Sequence, residues 1–167
     1  MEVPHWGLLV RALNSEIEKS RYSDQMELPH DLGQERSFPV SRLATSDGGH
    51  VTILNVTRNT QIADRAEVAG SGVKRSKGLL GRKGLDPGGG MWIVPCEAVH
   101  TFFMQFPLDL IYLDKKNRIR KVRSNVRPWR LSACLSAHSI LELPVGAIRD
   151  SQSQPGDIVK FEPANQI

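Results

Sequence analysis

LDLIYLDKKNRIRKVRS, residues 108–124, reads as two strands folded back about the polar turn DKKN. Leu, Ile, Tyr and Val suit a pleated, half-buried surface, and a short polar turn between two such runs marks a hairpin. Successive strand side chains point to opposite faces. Asp109 therefore shares a face with Ile111 and Leu113, and Leu108, Leu110 and Tyr112 take the other.

Outward from this hairpin the chain offers more short strands. VTILNVT (51–57) and IADRAEVAG (62–70) flank a turn at Asn59, a residue tolerant of unusual backbone angles. MWIVP (91–95), VHTFFMQF (99–106), HSILELP (138–144) and IVKFE (158–162) read the same way. Ser71 is placed to cap a short basic helix, weakened by Gly72 and Gly78, that ends near Gly81. KGLDPGGGMW (83–92) reads as a loop, because three consecutive glycines hold regular structure only at entropic cost. It lacks the Lys-Ser/Thr ending of a phosphate-binding loop. RPWRLSACLSA (127–137) reads as irregular, VGAIRDSQS (145–153) as one helical turn, and QPGD (154–157) as a Pro-Gly turn. The expected fold is mainly β within the α+β class: a compact small β-barrel or rolled mixed sheet of about seven short strands with one or two short helices.

The 167 residues suffice for one domain with a real core. Fourteen glycines and ten prolines agree with many turns. The net charge is +4, which permits attraction to polyanions without specifying it. Cys96 and Cys134 form no CxxC pair, so zinc and thioredoxin spacings are absent and no metal site is assigned. They read as two free thiols in a reducing compartment, with a disulfide left open. No apolar run approaches the ~20 residues of a membrane span, and the N-terminus makes a poor signal peptide; cytoplasm is the default. Residues 1–48 read as an extension, disordered or lying over the surface, with a short amphipathic helix near 7–20 built on Leu9, Leu13 and Ile17. The domain is expected over 49–163, with a tail at 164–167.

The densest chemistry lies in PCEAVHTFFMQFPLDLIYLD, 95–114. If 96–106 is extended, Cys96, Ala98, His100, Phe102, Met104 and Phe106 share one face. His100 then stands among aromatics, either as a base or ligand-binding donor or as a core histidine satisfied by neighbours. Cys96 would lie about 13 Å from it at 3.3 Å per residue, too far for a Cys–His dyad. Met104 reads as gap-filling core. Asp109 must be paired if buried, by backbone N–H groups or by an arginine such as Arg127 or Arg82. Glu142 poses the same question and faces solvent by alternation. Arg118, Arg120, Lys121, Arg123, Arg127 and Arg130 surround Trp129. They read either as an anion or nucleic-acid contact with Trp129 as a stacking platform, or as a solvated hairpin arm with Trp129 closing the core.

In order, KGLLGRKGLDPGGGMWIVPCEAVHTFFMQFPLDLIYLDKKNRIRKV, RPWR, ILELPVGAI and PGDIVKF resemble the bacterial and archaeal family called domain of unknown function 192, over roughly residues 51–162. The resemblance implies a small single-domain β-rich barrel and no established activity. The family's recurring marks fall on Arg82, His100, Met104, Asp109, Arg127, Trp129 and Glu142. This chain departs from the pattern at GSGVKRSK, where bulky apolar residues are usual, and in its N-terminal extension.

Two functional classes follow, with a purely structural role fitting if there is no pocket at all. The first is a ligand-binding module whose apolar pocket is lined by His100, Phe102, Met104 and Trp129, with Arg127 or Arg82 meeting an anionic group. The second is a hydrolase using His100 with Asp109 or Glu142 as acid and base. The binder is favoured because no nucleophile–base pair is evident, and Asp109, Arg82 and Glu142 are then structural. The expected partner is a small, anionic molecule. Nucleic acid is not expected, since no RNA-binding signature appears. No cofactor is assigned, and the oligomeric state is not legible.

Overall fold

A computed structural model of the chain describes residues 49–164. The expected 7–20 helix and the extension that carries it lie outside the described residues. Nine strands are present among those described: β1 (His50–Asn55), β2 (Thr60–Ala69), β3 (Gly89–Ile93), β4 (Ala98–His100), β5 (Leu108–Leu113), β6 (Ile119–Val126), β7 (Leu131–Ala133), β8 (Ser139–Leu143) and β9 (Val159–Pro163). Two short helices join them, α1 (Gly72–Lys77) and α2 (Ala147–Asp150).

Seven strands form one mixed sheet in the order β6-β5-β8-β3-β2-β1-β9, and β4 pairs with β7 in a second, two-stranded sheet. Each pairing of the large sheet is antiparallel except β2 with β3. That parallel pair needs a crossover, and α1 with the loop after it supplies it. The sheet curls into a half-barrel. Its two edges meet at one end, where Ile119 N–H donates to Asp157 O (2.8 Å), Gly156 N–H to Ile119 O (2.8 Å) and Val159 N–H to Asn117 O (2.9 Å). The expected rolled mixed sheet is thus the fold observed.

Both faces of the sheet are covered, which decides where polar groups can go. One face carries Val51, Ile53, Trp92, Ile111, Leu113, Leu141, Leu143, Phe161 and the helical Ile148. Trp92 stacks on Phe161 with ring centroids 4.0 Å apart. The other carries Met91, Ile93, Leu108, Leu110, Tyr112 and Ile140 beneath Leu79, Val99, Cys96 and Met104. β5 follows the alternation read from its sequence, with Ile111 and Leu113 on one side and Leu108, Leu110 and Tyr112 on the other.

Four local expectations are corrected. The basic helix stops at Gly78 rather than near Gly81; Ser71 caps it, and Gly78, at φ 47°, returns its N–H to Lys74 O at 2.8 Å. Gly89 and Gly90 belong to β3, not to a loop. A Cβ at Gly90 would stand 2.9 Å from Glu142 O, so only glycine lets β3 lie this close to β8. The strand expected over 99–106 ends at His100, where turns begin. Leu131–Ala133, expected to be irregular, is the strand that pairs with it. Three residues are too few for alternation to show in sequence.

Candidate functional site

Two tight turns meet at one buried threonine. The first follows β4 and the second, 127–130, joins β6 to β7. Thr101, 1% exposed, holds both. Its N–H donates to Arg130 O (2.9 Å) and its carbonyl accepts from Trp129 N–H (2.9 Å). Its hydroxyl donates to Arg127 O (2.8 Å) and accepts from Arg130 N–H (2.9 Å). Every polar group of this residue is used in joining the turns, and the sequence reading gave Thr101 no role.

The clamp holds two aromatic residues in left-handed backbone, Phe103 at φ 64° and Trp129 at φ 63°. That conformation costs a bulky residue on the order of 1–2 kcal/mol. Both rings are turned outward, 54% and 55% exposed, and meet edge to face at 4.7 Å. Trp129 does not close the core, and that expectation is corrected. Phe102 lies against Trp129 at 5.7 Å, and His100 stacks on Phe102 at 5.3 Å. Four rings therefore form one continuous patch, extended by exposed Leu131, which pairs with His100 across β4 and β7. Of the expected pocket lining, His100, Phe102 and Trp129 are brought together. Met104 is buried in the core beside Val99 and Cys96. Phe103 was missed; its signal was a second aromatic adjoining Phe102, which strand alternation assigned to the opposite face.

His100 is half-buried, its Nδ1 enclosed without a hydrogen-bond partner. Burial holds its pKa below the ordinary value, so the ring is neutral near pH 7. Cationic groups border the rings. Arg127 and Arg130 are exposed on the Trp129 turn. From β6, Lys121 Nζ donates to Ala133 O (2.8 Å) and Arg123 Nη1 to Ser132 Oγ (3.4 Å), both on β7. Lys121 also lies 5.5 Å from the centre of the Tyr112 ring.

The carboxylates lie elsewhere. Asp109, 1% exposed, accepts from Asn125 N–H (2.8 Å) through Oδ1 and from Gly146 N–H (3.0 Å) and Ile148 N–H (3.1 Å) through Oδ2. Its partners are backbone groups, not Arg127 or Arg82. Arg82 makes a two-pronged pair with Glu67 (2.7 and 2.8 Å), and this hydrogen bonding holds Glu67 below the usual carboxylate range. Glu142 is not solvent-facing: it is 4% exposed, because Gly78, at the end of α1, lies over that side of β8. A Cβ at Gly78 would stand 3.7 Å from its Oε2, which has no hydrogen-bond partner. Burial pushes its pKa up to about 7, with Arg82 pulling the other way. Cys96 and Cys134 are free thiols. Burial pushes the Cys96 thiol up to about 12, so it is protonated and a poor nucleophile. No group of three His, Cys, Asp or Glu side chains fit to hold a metal occurs among the described residues. Nor is any helix there long and apolar enough to cross a membrane.

The family model DUF192, described as uncharacterized ACR, matches residues 53–161. A UPF0127 protein of Thermococcus kodakarensis is 28% identical over 120 residues, covering 68% of this chain and 75% of that protein. A UPF0127 protein of Pyrococcus horikoshii is 30% identical over 116 residues, covering 65% of this chain and 97% of its own. Among solved structures, a protein of unknown function from Novosphingobium aromaticivorans superposes with a TM-score of 0.57 at 22% identity, covering 82% of this chain and 99% of that one. A Sinorhizobium meliloti protein, proposed to be a transcription regulator, gives 0.60 at 21% identity, covering 68% and 92%. At these identities the structural likeness concerns the fold alone.

Proposed function

We propose that this chain, which belongs to the uncharacterised DUF192 family, is a ligand-binding module that takes a planar, anionic group on the ring patch of His100, Phe102, Phe103 and Trp129. One observation carries the reading: two large aromatics sit side by side, half exposed, in a backbone conformation that is itself costly. Folding alone gains little from that arrangement, since the same rings turned inward would contribute apolar burial of about 1.5–3 kcal/mol each. Strained residues persist where the surrounding structure holds them, and they cluster at ligand-binding positions. The rings offer faces for stacking and Arg127 and Arg130 offer charge for an anion. His100 supplies a neutral polar anchor at the inner end of the patch.

The hydrolase reading has less support. Asp109 spends both oxygens on backbone N–H groups and sits by Ile148, on the face opposite Val99 and Met104. Among the described residues, His100 hydrogen-bonds no carboxylate. A general base needs its partner within hydrogen-bond reach.

The test is a titration with 2-naphthoate followed by amide and indole NMR. Shifts are expected at Thr101–Met104, Arg127–Leu131 and the Trp129 indole N–H. Trp129→Leu is expected to weaken binding about tenfold, consistent with the worth of aromatic contacts. Shifts confined to other parts of the molecule, or none at millimolar naphthoate, would refute the assignment.

A further inference from the structure

We propose that the ligand carried by this patch is a segment of single-stranded nucleic acid, its bases stacked on the exposed rings and its phosphates met by Lys121, Arg123, Arg127 and Arg130; this rests on the binding reading above and names the partner. Residues 115–141 hold eight Lys and Arg and no Asp or Glu, whereas the rest of the chain holds 14 basic and 18 acidic residues. The whole positive excess of the chain thus belongs to the β5–β6 turn, β6 and the Trp129 turn, and of these eight cations Lys121, Arg123, Arg127 and Arg130 lead to the rings. A single small anion would need one or two of these cations. A run of them suits a polyanion, a departure from the sequence expectation, which rested on the lack of an RNA-binding motif and not on where the fold puts these cations.

The structure joins this run to the rings. Lys121 and Arg123 project from β6, an edge strand of the large sheet, and reach across to β7 at Ala133 O and Ser132 Oγ. β7 leads back to Arg130, whose Nη1 donates to Trp129 O at 2.9 Å. Arg127 lies at the other end of the same turn. The cations therefore run beside β7 from its far end to the aromatic patch, as charge and stacking surface do in proteins that hold unpaired strands. Bases offer π-faces only when unpaired. Among the described residues neither helix is long enough to enter a major groove, α1 having six residues and α2 four. These features favour a single strand over a duplex. An anionic lipid surface would also attract the cations and would meet the exposed Leu131 and Leu135; the exposed Phe103 and Trp129 rings, which meet edge to face, favour the strand, and the vesicle comparison decides between the two.

The full chain is titrated into a fluorescein-labelled oligothymidylate of about a dozen nucleotides, followed by anisotropy at several salt concentrations. The same strand as a duplex, and phosphatidylserine vesicles, are run alongside. The expected result is tighter binding of the single strand than of the duplex, with log affinity falling against log salt at a slope near −3, about 0.7 per cation engaged. Trp129→Leu is expected to weaken binding about tenfold. Arg127→Gln with Arg130→Gln is expected to flatten the slope by about 1.4. Both turn arginines and Trp129 are exposed, and equal melting temperatures of variants and parent establish that the fold is intact. Three results would overturn the proposal: binding to vesicles but not to the strand, duplex bound as well as single strand, or a slope that these arginines do not change. If 2-naphthoate binds and the strand does not, the partner is wrong and the binding module stands. If neither binds, both readings fall.

Discussion

Glu142→Gln offers the sharpest test of how the interior is built. The carboxyl sits in the row Glu67–Met91–Glu142–Leu110 across four adjacent strands, on a covered face, with no hydrogen bond to Oε2. Burial raises its pKa from an ordinary 4.5 to about 7. A carboxyl whose folded pKa lies above its unfolded value binds its proton more tightly when folded. Its contribution to stability is then fully present below about pH 4.5 and is lost as pH rises through about 7. Two and a half pH units at 1.36 kcal/mol each bound the effect at roughly 3 kcal/mol, of which roughly 2–3 kcal/mol develops between pH 5 and pH 8. Gln keeps the size and carries no proton to lose. The stability of the Gln variant minus that of the parent is therefore expected to rise by that amount from pH 5 to pH 8, or about 10 °C in melting temperature. The difference must be taken because His100 acts oppositely: burial lowers its pKa, so its contribution is lost as pH falls. Urea unfolding of both proteins in steps from pH 5 to pH 8 measures the difference directly. A flat difference would show that Glu142 stays ionised in the folded protein, and the account of its site would be wrong.

Asp109→Asn replaces an acceptor of three backbone N–H groups with one that brings an NH2 toward them, and is expected to cost about 3 kcal/mol in urea unfolding; full stability would refute the structural role. Thr101→Val removes the hydroxyl that joins the two turns, and is expected to cost about 2 kcal/mol and to loosen Trp129, read as lower fluorescence anisotropy at the red edge of tryptophan emission. Unchanged anisotropy would mean that the backbone bonds alone fix the platform. A chain starting at Gly49 is expected to melt within a few degrees of the full chain, because residues 1–48 carry too few apolar groups to offset the entropy of ordering them; a loss of many degrees would show that the extension contributes to the core.

What local sequence determined was the longer elements, not the short β4–β7 pair. The hairpin about DKKN, the alternation of β5 and the Ser71 cap depend on side chains close together in the chain, where periodicity and turn chemistry act directly. The family resemblance, carried by short motifs in order, agrees with the match over 53–161. What only the tertiary structure decided depends on pairings between distant residues. Glu142 reads as solvent-facing until Gly78, at the end of α1, is seen to cover its face, and Gly90 reads as loop until β8 is seen to leave no room for a Cβ. Arg82 finds Glu67, not Asp109, because the β2–β3 crossover brings its loop back over β2. Alternation along 96–106 stops at His100, since Thr101 bonds to a turn more than 25 residues away and the chain there follows those bonds instead of a strand's pleat. Those same bonds turn Trp129 outward. No residue near it in sequence could have said so, because the threonine that orients it belongs to the other turn.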